Sequence, residues 1–227
     1  MTSHATLQVL LFGGTGMVGA AVLDQCLADD RVTHVLAVGR TPTGRTHPKL
    51  SELAHADLFD ISPIADQLRG YDACFFTVGV SAADLKEPEY TRTTYDLTLA
   101  VARTMRAIAP EIAFLYVSGA GTDSSEKGRF MWARVKGRTE NALLAMGFKR
   151  AVMVRLGGLI PLKGLKSKTR LYRITYAIMR PILPIGHMLM PGVVTTPRLL
   201  GRAMIAAALG ETDKQILSGK DIHQLGQ

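Results

Sequence analysis

Residues 7–19 read LQVLLFGGTGMVG, a short apolar run that ends in a cluster of glycines. An apolar run of this length, bounded by glycines, predicts a buried parallel strand over Leu7–Phe12. The residues that follow place Val18, Ala21, Val22 and Cys26 roughly on one face, which predicts a helix over 17–28. The chain therefore opens with a strand, a glycine-rich turn and a helix.

The glycines of this turn have the spacing G-x-x-G-x-x-G, and each answers a separate physical need. Gly13 lets the chain turn tightly off the strand, Gly16 lets the backbone approach a pyrophosphate, and Gly19 lets the helix pack close to the sheet. The helix N-terminus offers free N–H groups and the positive end of its dipole to phosphates. The sequence therefore predicts a dinucleotide site. Its contact residues in this turn are Gly13, Thr15, Gly16, Met17, Val18 and Gly19.

Strand and helix patterns then alternate six times along the chain. Further strands are predicted over Val32–Val38, Ala54–Leu58, Ala73–Val78, Ile112–Val117 and Ala151–Leu156, with a last short strand within Gln215–Leu225. Further helices are predicted over Ile64–Leu68, Tyr90–Ile108, Phe130–Met146 and Pro197–Leu209. This alternation predicts an α/β fold in which a doubly wound parallel sheet, of Rossmann type, forms the middle of three layers. Residues 1–227 are predicted to form one domain.

Composition limits the class of protein. Hydrophobic residues make up 47% of the chain and charged residues 20%, proportions that are typical of a soluble globular protein. The two cysteines, Cys26 and Cys74, provide no disulfide framework and are expected to be buried in a reducing compartment. We see no secretory pattern at the start and no apolar stretch long enough to cross a membrane, so a cytoplasmic location is expected. No metal site is expected, because the histidines do not cluster with Cys or carboxylates.

The end of the second strand indicates which dinucleotide is bound. NAD-binding folds usually place an acid there, about 20 residues past the glycines, but this strand ends in Gly39-Arg40. The guanidinium of Arg40 can pair with a 2′-phosphate, so NADP(H) is favoured over NAD(H). Arg45 and Lys49 add positive charge nearby. Asp57, followed by Leu58, can accept a hydrogen bond from the adenine amino group or can cap the next helix, and the sequence leaves both interpretations open.

Several motifs together resemble the atypical short-chain dehydrogenase/reductases. They are the glycine spacing, Gly39-Arg40, Ala56-Asp57-Leu58 and the strand FLYVS at 114–118, and the resemblance extends to about residue 160. The segments SGAGTD at 118–123 and MWARVKG at 131–137 are similar to a small bacterial group near the epimerase/dehydratases and the Tat-interacting-protein oxidoreductases. The resemblance implies an NAD(P)-binding oxidoreductase that acts on a small carbonyl or alcohol substrate.

The resemblance also implies a catalytic set of Ser, Tyr and Lys. Ser118 and Lys136 match two members, and they would orient the substrate oxygen and hold the nicotinamide ribose. The position of the Tyr is occupied by Trp132, whose indole N–H donates a hydrogen bond but cannot exchange a proton at useful pH. The loop after the fourth strand and the end of the sixth strand are implied to border the ribose and the nicotinamide. Their residues are Thr77, Val78, Gly79 and Leu156.

Three interpretations of Trp132 stay open. The chemistry can persist with another acid, or with a water held by Ser118 and Lys136. Alternatively, the protein binds NADP(H) without reducing anything, and works as a regulatory or membrane-surface partner. In the third interpretation Trp132 is only a core residue. Tyr116 is a poor substitute because it points along a strand, and the sequence gives Tyr90 no clear place.

The chain has a net charge of +8, and residues 126–181 contain 14 basic and two acidic side chains. Residues 157–196 are rich in Gly, Pro and basic groups and are predicted to form a small C-terminal lid over a substrate. The alternative is a peripheral membrane contact through 163–194. A nucleic-acid partner is not expected, because aromatic residues are few and no recognition motif occurs. Relatives in the resembled family often form homodimers through the helices predicted over 90–108 and 130–146.

Overall fold

The computed structural model describes residues 6–83, 85–160 and 194–227. In chain order the elements are β1 (Leu7–Phe12), α1 (Met17–Ala28), β2 (Val32–Gly39), β3 (Leu50–Ala54), a 3₁₀ helix (Ser62–Leu68), β4 (Ala73–Phe76), α2 (Glu87–Thr91), a π-helical turn (Arg92–Asp96), α3 (Leu97–Ile108), β5 (Ala113–Val117), α4 (Met131–Ala145), β6 (Arg150–Val154), β7 (Gly158–Leu159), β8 (Val194–Thr195), α5 (Pro197–Leu209), β9 (Ile216–Leu217) and α6 (Gly219–Leu225). The predicted lid, 157–196, and the predicted membrane-contact segment, 163–194, fall mostly outside the described residues.

Seven of these strands form one parallel sheet in the order β3-β2-β1-β4-β5-β6-β9. The chain builds outward from β1 to β3, then crosses back to place β4 on the other side of β1. This reversal opens a crevice beyond the carboxyl ends of β1 and β4, which is where open α/β sheets bind ligands. The predicted fold class is confirmed.

Both faces of the sheet are covered, as a parallel sheet requires. On one face α1 and α5 bury a core that includes Leu11, Val22 and Met204. On the other face α3 and α4 cover Phe12, Phe76 and Phe114, whose rings lie about 6 Å apart from one to the next. The sheet thereby forms a fixed platform for the loops at its carboxyl edge.

Two predicted elements are corrected. The third strand is Leu50–Ala54 rather than Ala54–Leu58, because Leu50 and Leu53 pair with β2 while the exposed edge strand carries polar residues between them. The helix predicted from Tyr90 begins at Glu87 and contains a π-helical turn. The last short strand predicted within Gln215–Leu225 is confirmed as Ile216–Leu217, and the capping box of Ser218 and Asp221 then starts α6.

Among the helices of the described residues, none combines the length and the apolar character needed to cross a bilayer.

Candidate functional site

The glycine turn between β1 and α1 is shaped by close backbone approaches. Gly13 has φ +91°, and a Cβ there would lie 2.8 Å from Thr77 Oγ1 and 2.9 Å from the Val78 nitrogen. A Cβ on Gly19 would overlap the carbonyl oxygen of Gly13. Thr77 Oγ1 donates a hydrogen bond of 2.7 Å to the Phe12 carbonyl, which fixes the neighbouring loop against the turn. Side chains at Gly13 and Gly19 are therefore excluded by geometry.

The N-terminus of α1 lies open at the crevice. Gly16 is the N-cap residue and provides no side-chain hydrogen bond, so the first-turn N–H groups of the helix are left for another acceptor. Met17 and Val18, in that first turn, line the crevice. A helix N-terminus with uncapped N–H groups is suited to bind phosphate.

A small pocket of about 110 Å³ lies beside the turn, at the ends of β2 and β3. We call it the β2 pocket; it is lined by Gly13, Gly14, Thr15, Ala37, Val38, Gly39, Thr41, Pro42, Thr43, Glu52, Leu53 and Ala54. Glu52 Oε1 accepts hydrogen bonds from the Thr43 backbone nitrogen at 2.6 Å and from Thr43 Oγ1 at 2.5 Å. Sequence reasoning missed Glu52, because the predicted third strand began after it.

The three basic residues predicted near this pocket differ in their surroundings. Arg40 lies between Gly39 and Thr41, which line the pocket, but is not itself a lining residue; it is exposed and makes no ion pair within the part of the chain that the structure describes. Arg45 is paired with Asp24 at 2.6 Å, and Lys49 Nζ donates to a backbone carbonyl at 2.9 Å. Arg40 is thus the member of the three that is available to a ligand.

Asp57 and Leu58 lie in the turn after β3. Asp57 Oδ1 accepts a hydrogen bond of 2.9 Å from the Phe59 nitrogen, so the carboxylate caps this turn. Leu58 is buried in the core. Neither residue lines the β2 pocket or the crevice. The structure does not bring them to the predicted cofactor contacts.

The crevice at the carboxyl ends of the strands is called the cleft from here on, and it has a volume of about 740 Å³. It is lined by Gly16, Met17, Val18, Thr77, Val78, Gly79, Val80, Ser81, Ala82, Ala83, Tyr90, Val117, Ser118, Gly119, Ala120, Trp132, Lys136, Leu156, Gly157 and Leu159. The structure therefore brings the predicted catalytic residues together with the α1 N-terminus, the loop after β4 and Leu156.

Ser118, at the end of β5, is held by a buried carboxylate. Its Oγ donates a hydrogen bond of 2.5 Å to Glu140 Oε1, and Glu140 forms a 2.6 Å ion pair with Arg155 at the end of β6. The Glu140 side chain has no solvent exposure. The single hydroxyl proton of Ser118 is thus directed to Glu140, while its lone pairs can still accept a hydrogen bond.

Lys136 lies on α4, and its side chain forms part of the cleft wall. Burial lowers the pKa of its ammonium to about 8, and the negative charge of Glu140 partly opposes that shift. The Nζ atom lies 5.5 Å from the centroid of the Tyr116 ring, and burial raises the pKa of that phenol. Lys136 is the one residue that carries charge at neutral pH among the described residues that line the cleft.

Trp132 lies one turn before Lys136 on the same face of α4. The indole packs against the loop after β5: a Cβ on Gly121 would lie 3.3 Å from its Cη2 atom, and one on Gly119 would lie 3.6 Å from Cζ3. Trp132 is half-buried and lines the cleft, so it is more than a core residue.

The sequence did not predict where the side chain of Tyr90 lies, and the structure shows its position. Tyr90 is buried in α2 and lines the cleft with Ser118 and Lys136. The ion pair of Glu87 with Arg134, 2.7 Å long, ties α2 to α4 and keeps this wall of the cleft together. Little in the sequence indicated that Tyr90 belongs to the site, because a single Tyr near the start of a helix is common.

Residues 13–159 match the family model described as NAD(P)H-binding. The chain belongs to this family. The matched region contains the glycine turn, Ser118 and Lys136, and it bears out the resemblance to short-chain dehydrogenase/reductases and the prediction of a nicotinamide cofactor. It does not distinguish NAD from NADP.

Curated relatives extend the comparison. The protein "fmp52, mitochondrial" of Emericella nidulans is 29% identical over 157 residues, which cover 66% of this chain and 65% of that protein. The chain thus spans just under two thirds of that relative. "Protein fmp52-2, mitochondrial" of Aspergillus terreus is 26% identical over 200 residues, covering 87% and 85% of the two chains. These names contradict the cytoplasmic location that we expected from the sequence.

Solved structures agree on the fold. The Bordetella bronchiseptica enzyme WbmF in complex with NADH has a TM-score of 0.70 at 14% identity, covering 99% of this chain and 77% of that one. The UDP-glucuronic acid 4-epimerase of Bacillus cereus in complex with NAD has a TM-score of 0.66 at 14% identity, covering 93% and 78%. At these identities the likeness is one of fold.

Proposed function

We propose that the protein is an NADP(H)-dependent oxidoreductase that interconverts a small carbonyl compound and the corresponding alcohol. The observation that carries the proposal is the meeting of Ser118 and Lys136 with the uncapped N-terminus of α1 in one cleft. A dinucleotide with its pyrophosphate at that N-terminus would extend from the β2 pocket to Lys136.

The residues present fit such a cofactor. Gly16, at the N-cap of α1, places no side chain where the pyrophosphate would approach the helix N-terminus, and Gly13 and Gly19 let the turn and the helix pack closely together. Lys136 Nζ has no hydrogen-bond partner among the described residues, so it is available to a ribose. When bound, the nicotinamide supplies or accepts the hydride. Arg40 supports NADP(H), because a guanidinium at the end of β2 can bind the 2′-phosphate with charge-assisted hydrogen bonds.

The proton has to come from a group other than Trp132, whose indole cannot exchange it. Lys136 is the group best placed for this transfer, since burial brings the pKa of its ammonium to about 8. In the reducing direction the Nζ proton passes to the carbonyl oxygen, and the neutral amine regains a proton from water in the cleft. Ser118 accepts a hydrogen bond from the product hydroxyl, while Glu140 keeps its Oγ in place.

The substrate class that we propose is based on the apolar side chains that line the cleft together with Lys136. Val80, Ala82, Trp132 and Leu159 give this part of the cleft an apolar lining. Apolar walls favour a substrate whose carbonyl group is attached to hydrocarbon rather than to hydroxyl-rich sugar.

A second candidate is a protein that binds NADP(H) without turnover and signals through a partner. Two features support it: the proton of Ser118 is directed to Glu140, and Trp132 lines the cleft at the position for which the family resemblance implies a Tyr. The two candidates share the cofactor and differ in catalysis.

Turnover decides between them. Purified protein is incubated with NADPH and a panel of small apolar aldehydes and ketones, and the loss of absorbance at the nicotinamide band is followed. If the proposal is right, the wild-type protein oxidises NADPH steadily in the presence of a substrate. Lys136→Met should abolish this oxidation of NADPH, whereas Lys127→Met, on an exposed loop, should leave it unchanged. If the wild-type protein shows no turnover and the Trp132→Tyr variant does, the wild-type protein binds the cofactor without catalysis and the oxidoreductase proposal is wrong.

A further inference from the structure

The β2 pocket contains one carboxylate among the described residues that line it, that of Glu52. Glu52 stands on the edge strand β3, directly opposite Ala37 of β2. Both of its hydrogen bonds, from the Thr43 nitrogen and from Thr43 Oγ1, are accepted by Oε1. The second oxygen, Oε2, accepts no hydrogen bond from the residues that the structure describes, and the side chain is exposed.

This arrangement affects a ligand in two ways. Thr43 would otherwise offer two donors to a phosphate at the pocket, and Glu52 already occupies both of them. The carboxylate also places a negative charge in a pocket where the end of β2 is expected to meet the adenosine ribose. A carboxylate oxygen accepts readily from a ribose hydroxyl and repels a phosphate dianion.

We propose that Glu52 is a specificity-determining residue of the cofactor site, which disfavours a 2′-phosphate and favours a free 2′-hydroxyl. It opposes the positive charge of Arg40, which is exposed between the pocket residues Gly39 and Thr41, so NADH can bind as well and the preference for NADPH is smaller than Arg40 alone would give. The inference rests on the proposed cofactor site and deepens it, because it assigns the discrimination to two opposed charges rather than to Arg40 alone.

Glu52→Gln tests the inference with little disturbance of the fold. The amide oxygen of Gln can still accept from Thr43, while the charge is removed. Affinities for NADPH and NADH are measured by calorimetry at one ionic strength. The Kd for NADPH should fall by about three- to ten-fold, as expected for one exposed like charge at close range, and the Kd for NADH should stay the same or rise. Higher salt should reduce the gain for NADPH.

Two matched variants separate charge from other effects. Asp66→Asn removes the same charge from the exposed 3₁₀ helix, outside the pocket, so the NADPH to NADH ratio should stay near that of the wild type. Thr43→Val removes one of the hydrogen bonds to Glu52 but keeps the carboxylate, so it should not raise the preference for NADPH. If Thr43→Val reproduces the effect of Glu52→Gln, loop position sets the preference and the inference is overturned.

Different results would contradict the role of Glu52 and the proposed function. If the wild-type protein binds at least one cofactor and Glu52→Gln leaves the ratio of the two Kd values within two-fold, the inference alone is wrong. An equal gain for NADPH and NADH also overturns it, because the charge would then act on the phosphates that both share. A wild-type protein that binds neither cofactor overturns the cofactor site itself.

Discussion

The two ends of the cleft follow the pattern of the family to different degrees. At the phosphate end, Gly13 and Gly19 are fixed by backbone contacts that leave no room for a side chain. At the proposed catalytic end, Ser118, Lys136 and Trp132 line the cleft together, and Trp132 stands where the family resemblance implies a Tyr. The phosphate end depends on the shape of the backbone, whereas the catalytic end depends on the chemistry of a few side chains. Such side chains can change while the fold and the cofactor site persist.

The largest effect is expected at the catalytic end, where Glu140 links Ser118 to Arg155. Glu140→Ala should lower the free energy of unfolding by about 3–5 kcal/mol, because it removes a fully buried carboxylate and leaves both the partly buried guanidinium of Arg155 and the buried hydroxyl of Ser118 without their partner. Chemical denaturation measures the change. Glu111→Ala breaks an exposed pair with Lys149 and should cost less than about 1 kcal/mol. Similar losses in the two variants would show that the network under Ser118 is not specially coupled.

The phosphate end should no longer bind the cofactor when Gly13 gains a side chain. Gly13→Ala should abolish cofactor binding and destabilise the fold by more than about 2 kcal/mol, because the positive φ and the contact with Thr77 and Val78 both oppose a Cβ. Gly44→Ala is the matched control, since Gly44 also has a positive φ, +73°, but open space around it. That variant should bind cofactor as the wild type does. Retained binding in Gly13→Ala, measured by calorimetry, would contradict the assigned phosphate site.

The choice between NADPH and NADH is expected to depend on the β2 pocket, next to the phosphate end. Arg40→Ala should weaken NADPH more than NADH by about 1.5–3 kcal/mol, the value of a charge-assisted hydrogen bond. Arg45→Ala, which removes a guanidinium already paired with Asp24, should change the two affinities by similar small amounts. An equal loss of both cofactors in Arg40→Ala would refute the pairing of Arg40 with a 2′-phosphate.

A final effect is the pH dependence expected at the proposed catalytic end. If the ammonium of Lys136 donates the proton, carbonyl reduction should be fast below its pKa of about 8 and should fall as pH rises through that value, by about ten-fold per unit above it. Initial rates at saturating NADPH across pH 6–10 measure the profile. A rate that stays flat from pH 7 to 10 would exclude Lys136 as the acid.

Much of the fold could be predicted from local patterns. The bounds of β1, α1 and α5 were predicted exactly, because apolar periodicity and the Gly and Pro signals at their ends agree. The edge strand β3 was misplaced, because one of its sides faces solvent and its polar residues hide the strand pattern.

The candidate site could be predicted only in part. Ser118 and Lys136 lie in recognisable motifs, and the structure brings them together. The hydrogen bond of Ser118 to Glu140 joins residues 22 apart, and the contact of Glu52 with Thr43 depends on how β3 pairs with β2. Such contacts arise from tertiary packing, so no local pattern in the sequence signals them.

We expect a nicotinamide cofactor, preferably NADPH, to bind across the cleft from the glycine turn to Trp132. Trp132 is the single tryptophan of the chain, so its fluorescence reports on that end of the cleft alone. Titration with NADPH should quench this emission at micromolar concentrations. NADH should quench it only at higher concentrations. Absence of quenching, together with calorimetry that detects neither cofactor, would contradict the claim and leave the glycine turn as a scaffold without a ligand.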